Sequence, residues 1–274
     1  MQSRRMKVVA TLIIALHLAV VPAFVVAQIN DNLAEGMVAL HESDYEEALS
    51  RLQPLAKQGN ANAQVLVGSM YQKGQGVPRD YATAADWHER AADQGNATAQ
   101  VQLGKMYRFG KGVPQDQSEA AHWYREAAKQ GHVRAQFNLG TMYTDGIGVQ
   151  QDYSQAADWY RQAAEQGAPE AQYNLGFFYW AGKGVSQDYS QAVKWFRQSA
   201  SQGTTRAQFR IGGAYALGEG VPEDYIQAHK WLNLAAANGH SSALELRNDL
   251  AGMMSAEQIA EAQELARDWE PEVK

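Results

Sequence analysis

The 274-residue chain contains no cysteine, which excludes disulfide bonds, a lipid-modified N-terminal cysteine and every paired-cysteine metal motif. Positive charge is scarce as well. With 24 Lys and Arg against 30 Asp and Glu the formal net charge is -6, and phosphate binding needs clustered basic groups, so nucleic acid is excluded as a partner. GxSxG and HExxH signatures are absent, and the seven histidines are scattered without ligand spacing. No catalytic residue, metal ligand or cofactor is expected, and the chain reads as a non-enzyme. Only 7 prolines interrupt it, so long helices are permitted.

What is present is a period. Glycine recurs every 36 residues at Gly68, Gly104, Gly140, Gly176 and Gly212, and tryptophan at Trp87, Trp123, Trp159, Trp195 and Trp231. A fixed step of this length without insertions marks a solenoid, in which each unit buries its apolar face only against its neighbours. One elongated domain accounts for 45% apolar content better than two globules.

The first 27 residues differ in kind. Arg4, Arg5 and Lys7 precede an apolar run from Val8 to Ala27, interrupted by Pro22 and closing on Val25, Val26 and Ala27 before Gln28. A charged start, an apolar middle and small residues at the end predict a secretory signal peptide cleaved after Ala27, hence a periplasmic or secreted protein. The alternative is an uncleaved segment that anchors the chain in the inner membrane. Cleavage would remove three basic groups and no acidic ones, leaving a net charge of about -9 and no membrane insertion. An exported chain without disulfides points to a bacterial envelope.

The repeat from Asn60 to Gly95 shows how a unit is built. Ala63, Val67, Met70 and Tyr71 lie at helical spacing and predict a first helix, and Gly74, Gly76 and Pro78 predict a loop. Asp80 then stands where a carboxylate caps the free N–H groups of a second helix, as do Asp116, Asp152, Asp188 and Asp224. A metal array is the poorer reading, because the five are spaced a whole repeat apart. Ala84, Trp87, Ala91 and Ala92 keep one face of the second helix small around a single indole, which is expected to fill the gap between units. His88, His122 and His229 ride near the indole row and are expected to be partly buried surface residues. Gln94 and Gly95 close the unit, the glycine in a left-handed position. A glycine loop that binds phosphate would need a preceding strand, and none is visible.

These residues carry a resemblance. Ala135, Gln136, Leu139, Gly140, Tyr143, Gly146, Gly148, Val149, Asp152, Ala156, Trp159, Ala163, Ala164, Gln166 and Gly167 resemble the pattern of the Sel1-like repeat, a relative of the tetratricopeptide repeat. The likeness covers residues 60–239 as five copies, 60–95, 96–131, 132–167, 168–203 and 204–239. Val67 and Ile211 depart from the leucine, Gln117 from the aromatic, Ser199 from the alanine and Asn238 from the glutamine. The resemblance implies an all-α fold, a right-handed α-solenoid of about six helix pairs with a C-terminal capping helix. Residues 28–59 resemble a tetratricopeptide helix pair. Within 240–274, a helix from His240 to Met254 precedes one opened by a Ser255–Gln258 capping box, with Trp269 anchoring its end and a loose tail past Pro271.

Positions constant across the repeats serve the shared fold, and varying ones are free for a partner. On the first helices the constant set (Ala63, Gln64, Val67, Gly68, Tyr71) and the varying set (Asn62, Leu66, Ser69, Lys73) centre on opposite faces. In helix-pair solenoids the outward face of the first helices is concave and binds extended partners. Its candidate partner-binding residues are Phe109, Arg134, Asn138, Asn174, Phe177, Trp180, Arg206 and Arg210. Asn138, Asn174 and Arg210 share one position in consecutive repeats, an arrangement suited to gripping an extended backbone. Trp180 either packs under a neighbouring loop or anchors a ligand.

The expected function is a protein–protein interaction scaffold or adaptor in the bacterial envelope, holding an envelope protein or an extended peptide segment. Alternatives are a periplasmic regulator that binds a receptor's sensor domain, as the resemblance allows, and a module that binds peptidoglycan or another glycan through Trp180 and Phe177.

Overall fold

A computed structural model describes residues 23–272, with side chains from position 31 onward. The expected leader lies outside the described residues except for its last five positions, which begin the first helix. All regular structure among the described residues is helical: α1 (Ala23–His41), α2 (Tyr45–Lys57), α3 (Ala61–Lys73), α4 (Tyr81–Asp93), α5 (Ala97–Phe109), α6 (Gln117–Lys129), α7 (Val133–Asp145), α8 (Tyr153–Glu165), α9 (Pro169–Ala181), α10 (Tyr189–Ser201), α11 (Thr205–Leu217), α12 (Tyr225–Ala237), α13 (Ser241–Ala251) and α14 (Ala256–Arg267). From α3 to α12 first and second helices alternate, each 13 residues long. None of the described helices is long and apolar enough to cross a membrane.

The pair α7–α8 shows why these residues make this unit. Gly146 ends α7 in the left-handed conformation at φ 68°, which a side chain with a Cβ enters at a cost of about 1 kcal/mol. Six residues later the chain is turned back, with the Asp152 N–H donating to the Tyr143 carbonyl at 3.0 Å. The Asp152 carboxylate then accepts the N–H groups of Ser154 and Gln155 at 2.9 and 3.0 Å and caps α8. Asp80 and Asp116 likewise accept two N–H groups, and Asp188 and Asp224 cap their helices through one, that of Gln191 and Gln227. The second loop glycine answers to a tighter demand: a Cβ on Gly148 would collide with the backbone carbonyl of Gln117 in the preceding repeat.

Packing within a pair centres on the recurrent glycine of the first helix. A Cβ on Gly140 would lie 2.8 Å from the Tyr160 ring, and Gly104, Gly176 and Gly212 meet Tyr124, Phe196 and Leu232 equally closely. The residue after each tryptophan is therefore buried, and Tyr124, Tyr160 and Phe196 are the largest fully buried side chains among the described residues. Trp87, Trp195 and Trp231 are buried too, whereas Trp123 and Trp159 are only half-buried. This corrects the expectation for two histidines. His88 is fully buried against Gly68, where the other repeats place Tyr, Phe or Leu, and His229 is buried in α12. His122 is exposed.

Glutamines tie the two helices of a repeat together and, through Gln64, Gln136 and Gln172, tie three of the repeats to the helix before them. The Gln166 amide donates to Gln136 at 2.8 Å, and Gln136 donates in turn to the Ala128 carbonyl of the previous repeat at 3.3 Å. The amides of Gln94, Gln130 and Gln202 reach Gln64, Gln100 and Gln172, each at 2.8 Å. In the last repeat the shorter Asn238 reaches Gln208 at only 3.4 Å.

The described residues divide into two compact units, one running up to Ala99 and including Gly110–Pro114, the other comprising Gln100–Phe109 and the chain from Gln115. In the first, α1 to α4 enclose Leu52, Leu55, Val67, Met70 and Trp87. In the second, the C-terminal helix α14 opens with the Ser255–Gln258 capping box and packs on α12. Trp269 meets Trp231 edge to face, with ring centres 6.1 Å apart. The tail is not loose up to Glu272, whose N–H donates to the Ser201 carbonyl at 2.8 Å while its carboxylate accepts from the Ser201 hydroxyl at 3.3 Å.

Candidate functional site

All eight candidate residues belong to the second unit, and the structure assembles three of them. On α9 Tyr173, Phe177 and Trp180 are spaced four and three residues apart and share one face. Arg206, Arg210, Gly213 and Leu217 do the same on α11. The Arg210 guanidinium lies 4.8 Å from the centre of the Trp180 ring and 5.6 Å from that of Phe177, and those two rings stack at 5.8 Å. Arg206 stands over Tyr173 at 4.7 Å, so a fourth candidate joins the wall one turn away. Such contacts contribute about 0.5–2 kcal/mol each and hold the cations in place without neutralising them. None of the salt bridges among the described residues involves Arg206 or Arg210.

For Trp180 the structure bears on the packing half of the expectation. The indole is half-buried, and its N–H donates at 3.2 Å to Glu219, in the loop after α11. It thus packs under a neighbouring loop, within a half-buried aromatic wall. Three members of this wall, Tyr173, Glu219 and Lys183, are not among the candidates expected from the sequence. Glu219 occupies the variable position between the two loop glycines, where other repeats carry Gln75, Lys111, Ile147 and Lys183, and Lys183 lies 5.9 Å from the Phe177 ring. The unit-by-unit comparison, applied to loops as well as helices, contains that signal.

The remaining candidates stay apart from this cluster. Phe109 is 55% exposed at the end of α5, with only Arg108 over its ring at 5.4 Å. Arg134 is exposed and Asn138 half-buried on α7, and Asn174 is half-buried on α9. The varying positions of the first helices are exposed or half-buried without exception, and the constant Ala, Gln and Gly positions are buried. The amphipathic division expected of these helices is present. Among the described residues no group of three or more His, Asp or Glu is placed to hold a metal ion.

Stacked helix pairs with a shared buried face and a variable outer one define the class of α-solenoid repeat proteins. The chain belongs to the Sel1 repeat family, whose repeat matches at residues 61–96, 97–132, 133–167, 169–204 and 205–240. It is similar to a protective antigen present in uropathogenic Escherichia coli strains and displaying an SLR fold, with 34% identity over 87% of this chain and a TM-score of 0.80. That match takes in 52% of the antigen, so the chain spans about half its length. A Sel1 repeat protein from Oxalobacter formigenes is 35% identical, with a TM-score of 0.76, over 87% of this chain and 100% of that one. No curated protein matches the sequence. Sel1 repeat proteins are in general non-enzymatic scaffolds that mediate protein–protein binding.

Proposed function

We propose that the chain is an adaptor of the bacterial envelope that holds an extended segment of a partner protein against the wall formed by α9 and α11. The observation that carries this reading is the pair Arg206 and Arg210, fixed over Tyr173, Phe177 and Trp180 without a carboxylate partner in a chain whose net charge is negative. Arginine and aromatic side chains are the types that most often anchor protein partners. Asn138 and Asn174, at the position of Arg210 in the two preceding repeats, extend the polar row with amides that both donate and accept. Export is supported by the basic and apolar N-terminal pattern of residues 1–27 and by the likeness to a protective antigen.

A glycan is the weaker ligand for this wall. Sugar rings pack on an open aromatic face, and the Trp180 ring carries Arg210 on its face and Phe177 stacked beside it. The test is a photo-crosslinking residue placed at position 206 or 210 in living cells. Adducts with one discrete protein are expected, lost when Trp180→Ala is added, whereas adducts with sugar polymers or none at all sink the reading. Arg210→Glu is expected to abolish protein binding while lowering the melting temperature only by the few degrees that its two ring contacts are worth; a variant that no longer folds cooperatively would show the face to be structural.

A further inference from the structure

Gly213 has no packing reason to be glycine. Its neighbour Gly212 does: a Cβ there would come 2.8 Å from Leu232, but one on Gly213 would meet nothing within 4 Å. A glycine inside a helix costs about 1 kcal/mol relative to alanine, and here no close approach compensates. The other repeats carry Ser69, Lys105, Thr141 and Phe177 at this position. Beside Gly213 opens a cavity of about 210 Å³ with Val193, Phe196, Phe209 and Leu246 in its walls and Trp180 and Arg210 in its lining. A dry apolar cavity of roughly 150 Å³ already takes up benzene, so one large side chain fits here. The Trp180 ring is held in the lining by its hydrogen bond to Glu219, so the cavity is formed before a ligand arrives.

We propose that this cavity receives one large apolar side chain, of phenylalanine or leucine size, from an extended acidic segment of a partner protein, while Arg210 takes a carboxylate of the same segment. The proposal rests on reading the α9–α11 wall as a partner-binding surface. Arg210 sits one helical turn from Gly213, with the face of its guanidinium on Trp180 and Phe177 and no ion pair to the described residues. The edge of the fork is thus available for a bidentate carboxylate. Side chains two apart in an extended chain point the same way about 7 Å from each other, so the acidic residue belongs two positions from the apolar one. Charge complementarity selects this occupant: Lys183, Arg206 and Arg210 outnumber the single carboxylate of Glu219 on one wall of a chain that is acidic overall.

The test is selection from a displayed library of random dodecapeptides on the protein purified after expression of the full chain. Enriched peptides are then synthesised and titrated by fluorescence anisotropy. Enriched sequences are expected to carry a large apolar residue with Asp or Glu two positions away. Gly213→Leu, which fills the cavity, is expected to weaken their binding by about tenfold or more. Gly213→Ala, whose methyl occupies open space, is expected to bind within a factor of about three of the parent, and both variants to melt no lower than the parent, since each replaces a helical glycine. Peptides without the pair, or unaffected by Gly213→Leu, overturn the cavity proposal, as does 3-phenylpropionate binding as tightly as the peptides. If Arg210→Glu still weakens binding in those cases, the wall remains a binding surface. If the library enriches nothing, or neither substitution matters, both readings fail.

Discussion

His88 shows what one residue in the wrong chemical class does to a repeat. Its ring is fully buried against Gly68, and neither ring nitrogen has a hydrogen-bond partner among the described residues. Burial pushes its pKa down to about 4 from the ordinary 6.5. Because the folded value lies below the unfolded one, the neutral imidazole's contribution is fully present above pH 6.5 and is lost as pH falls towards 4. Between pH 7 and pH 5 the protein is expected to lose about 2 kcal/mol through this residue. His88→Leu, which copies the fifth repeat's Leu232, is expected to flatten that part of the urea-denaturation profile and to raise stability at pH 7. An equal loss of stability in parent and variant between pH 7 and 5 would refute the assignment. Tyr160 makes the complementary case, 2% exposed against Gly140 and bonded through its hydroxyl to Thr141 at 3.2 Å. Tyr160→Ala is expected to cost about 3–5 kcal/mol, and Trp159→Ala at its half-buried site distinctly less. The sequence drew attention to the invariant tryptophan and away from the next position, because His, Tyr, Tyr, Phe and Leu there look like free variation. Burial constrains volume and apolarity more than identity, so a varying position can still be core.

At the scale of the element, most of the architecture was legible. Five copies of one pattern repeat each signal: the capping aspartates, the left-handed glycines and the apolar spacing all specify 13-residue helices with tight turns. The glutamine ladder was not legible, although its members are constant, because partners 30 residues apart are joined only by the stacking of second helix on first. Its weakest rung gives a test. Asn238 stops a methylene short and reaches Gln208 at 3.4 Å, and the Gln208 side-chain N–H group is left without a partner. Asn238→Gln restores the residue of the other four repeats and is expected to stabilise the protein by about 0.5–1.5 kcal/mol, the net worth of one well-formed hydrogen bond. Removing a buried amide is costlier: Gln136→Leu leaves the Ala128 carbonyl with only backbone donors such as the Gly131 N–H and the Gln166 amide with only the Gln162 carbonyl at 3.4 Å, and is expected to cost about 1–2 kcal/mol in the same denaturation experiment. A neutral Asn238→Gln with a costly Gln136→Leu would mean that the rung matters for satisfying buried groups and not for bond length. The binding wall was legible in part. Phe177, Trp180, Arg206 and Arg210 stand out by failing to repeat, whereas the cavity beside them depends on a missing side chain at Gly213 and on Leu246 from a helix beyond the repeats.

For the whole molecule, the period makes a stronger claim than the presence of helices: each repeat is exchangeable with its neighbour. Within the second unit contacts join α6 with α7, α7 with α8, α8 with α9 and α9 with α10. Excising residues 133–168 removes one repeat in register and joins His132 to Pro169. Gln172 then meets the Ala128 carbonyl where Ala164 had stood, and Gly184 approaches Gln117 where Tyr153 had been, a pairing already made by Gly148. Every residue of the α9–α11 wall lies beyond the excision; the wall loses the Lys183 contact with Tyr153, and Phe178 on the other face of α9 loses its contacts with Tyr153 and Tyr160. Stability in such arrays is roughly a sum of repeat and nearest-neighbour terms, so the shortened protein is expected to fold with the same helicity per residue and a smaller urea m-value. It is also expected to bind the selected peptides within a factor of about three of the parent. Removing residues 133–152 alone would instead place one second helix against another, with no glycine to receive Tyr160. That variant is expected to lose its cooperative transition by circular dichroism. If both deletions are tolerated, or neither, the repeat is not the unit of folding. If the larger deletion folds but no longer binds, the wall depends on elements upstream of α9.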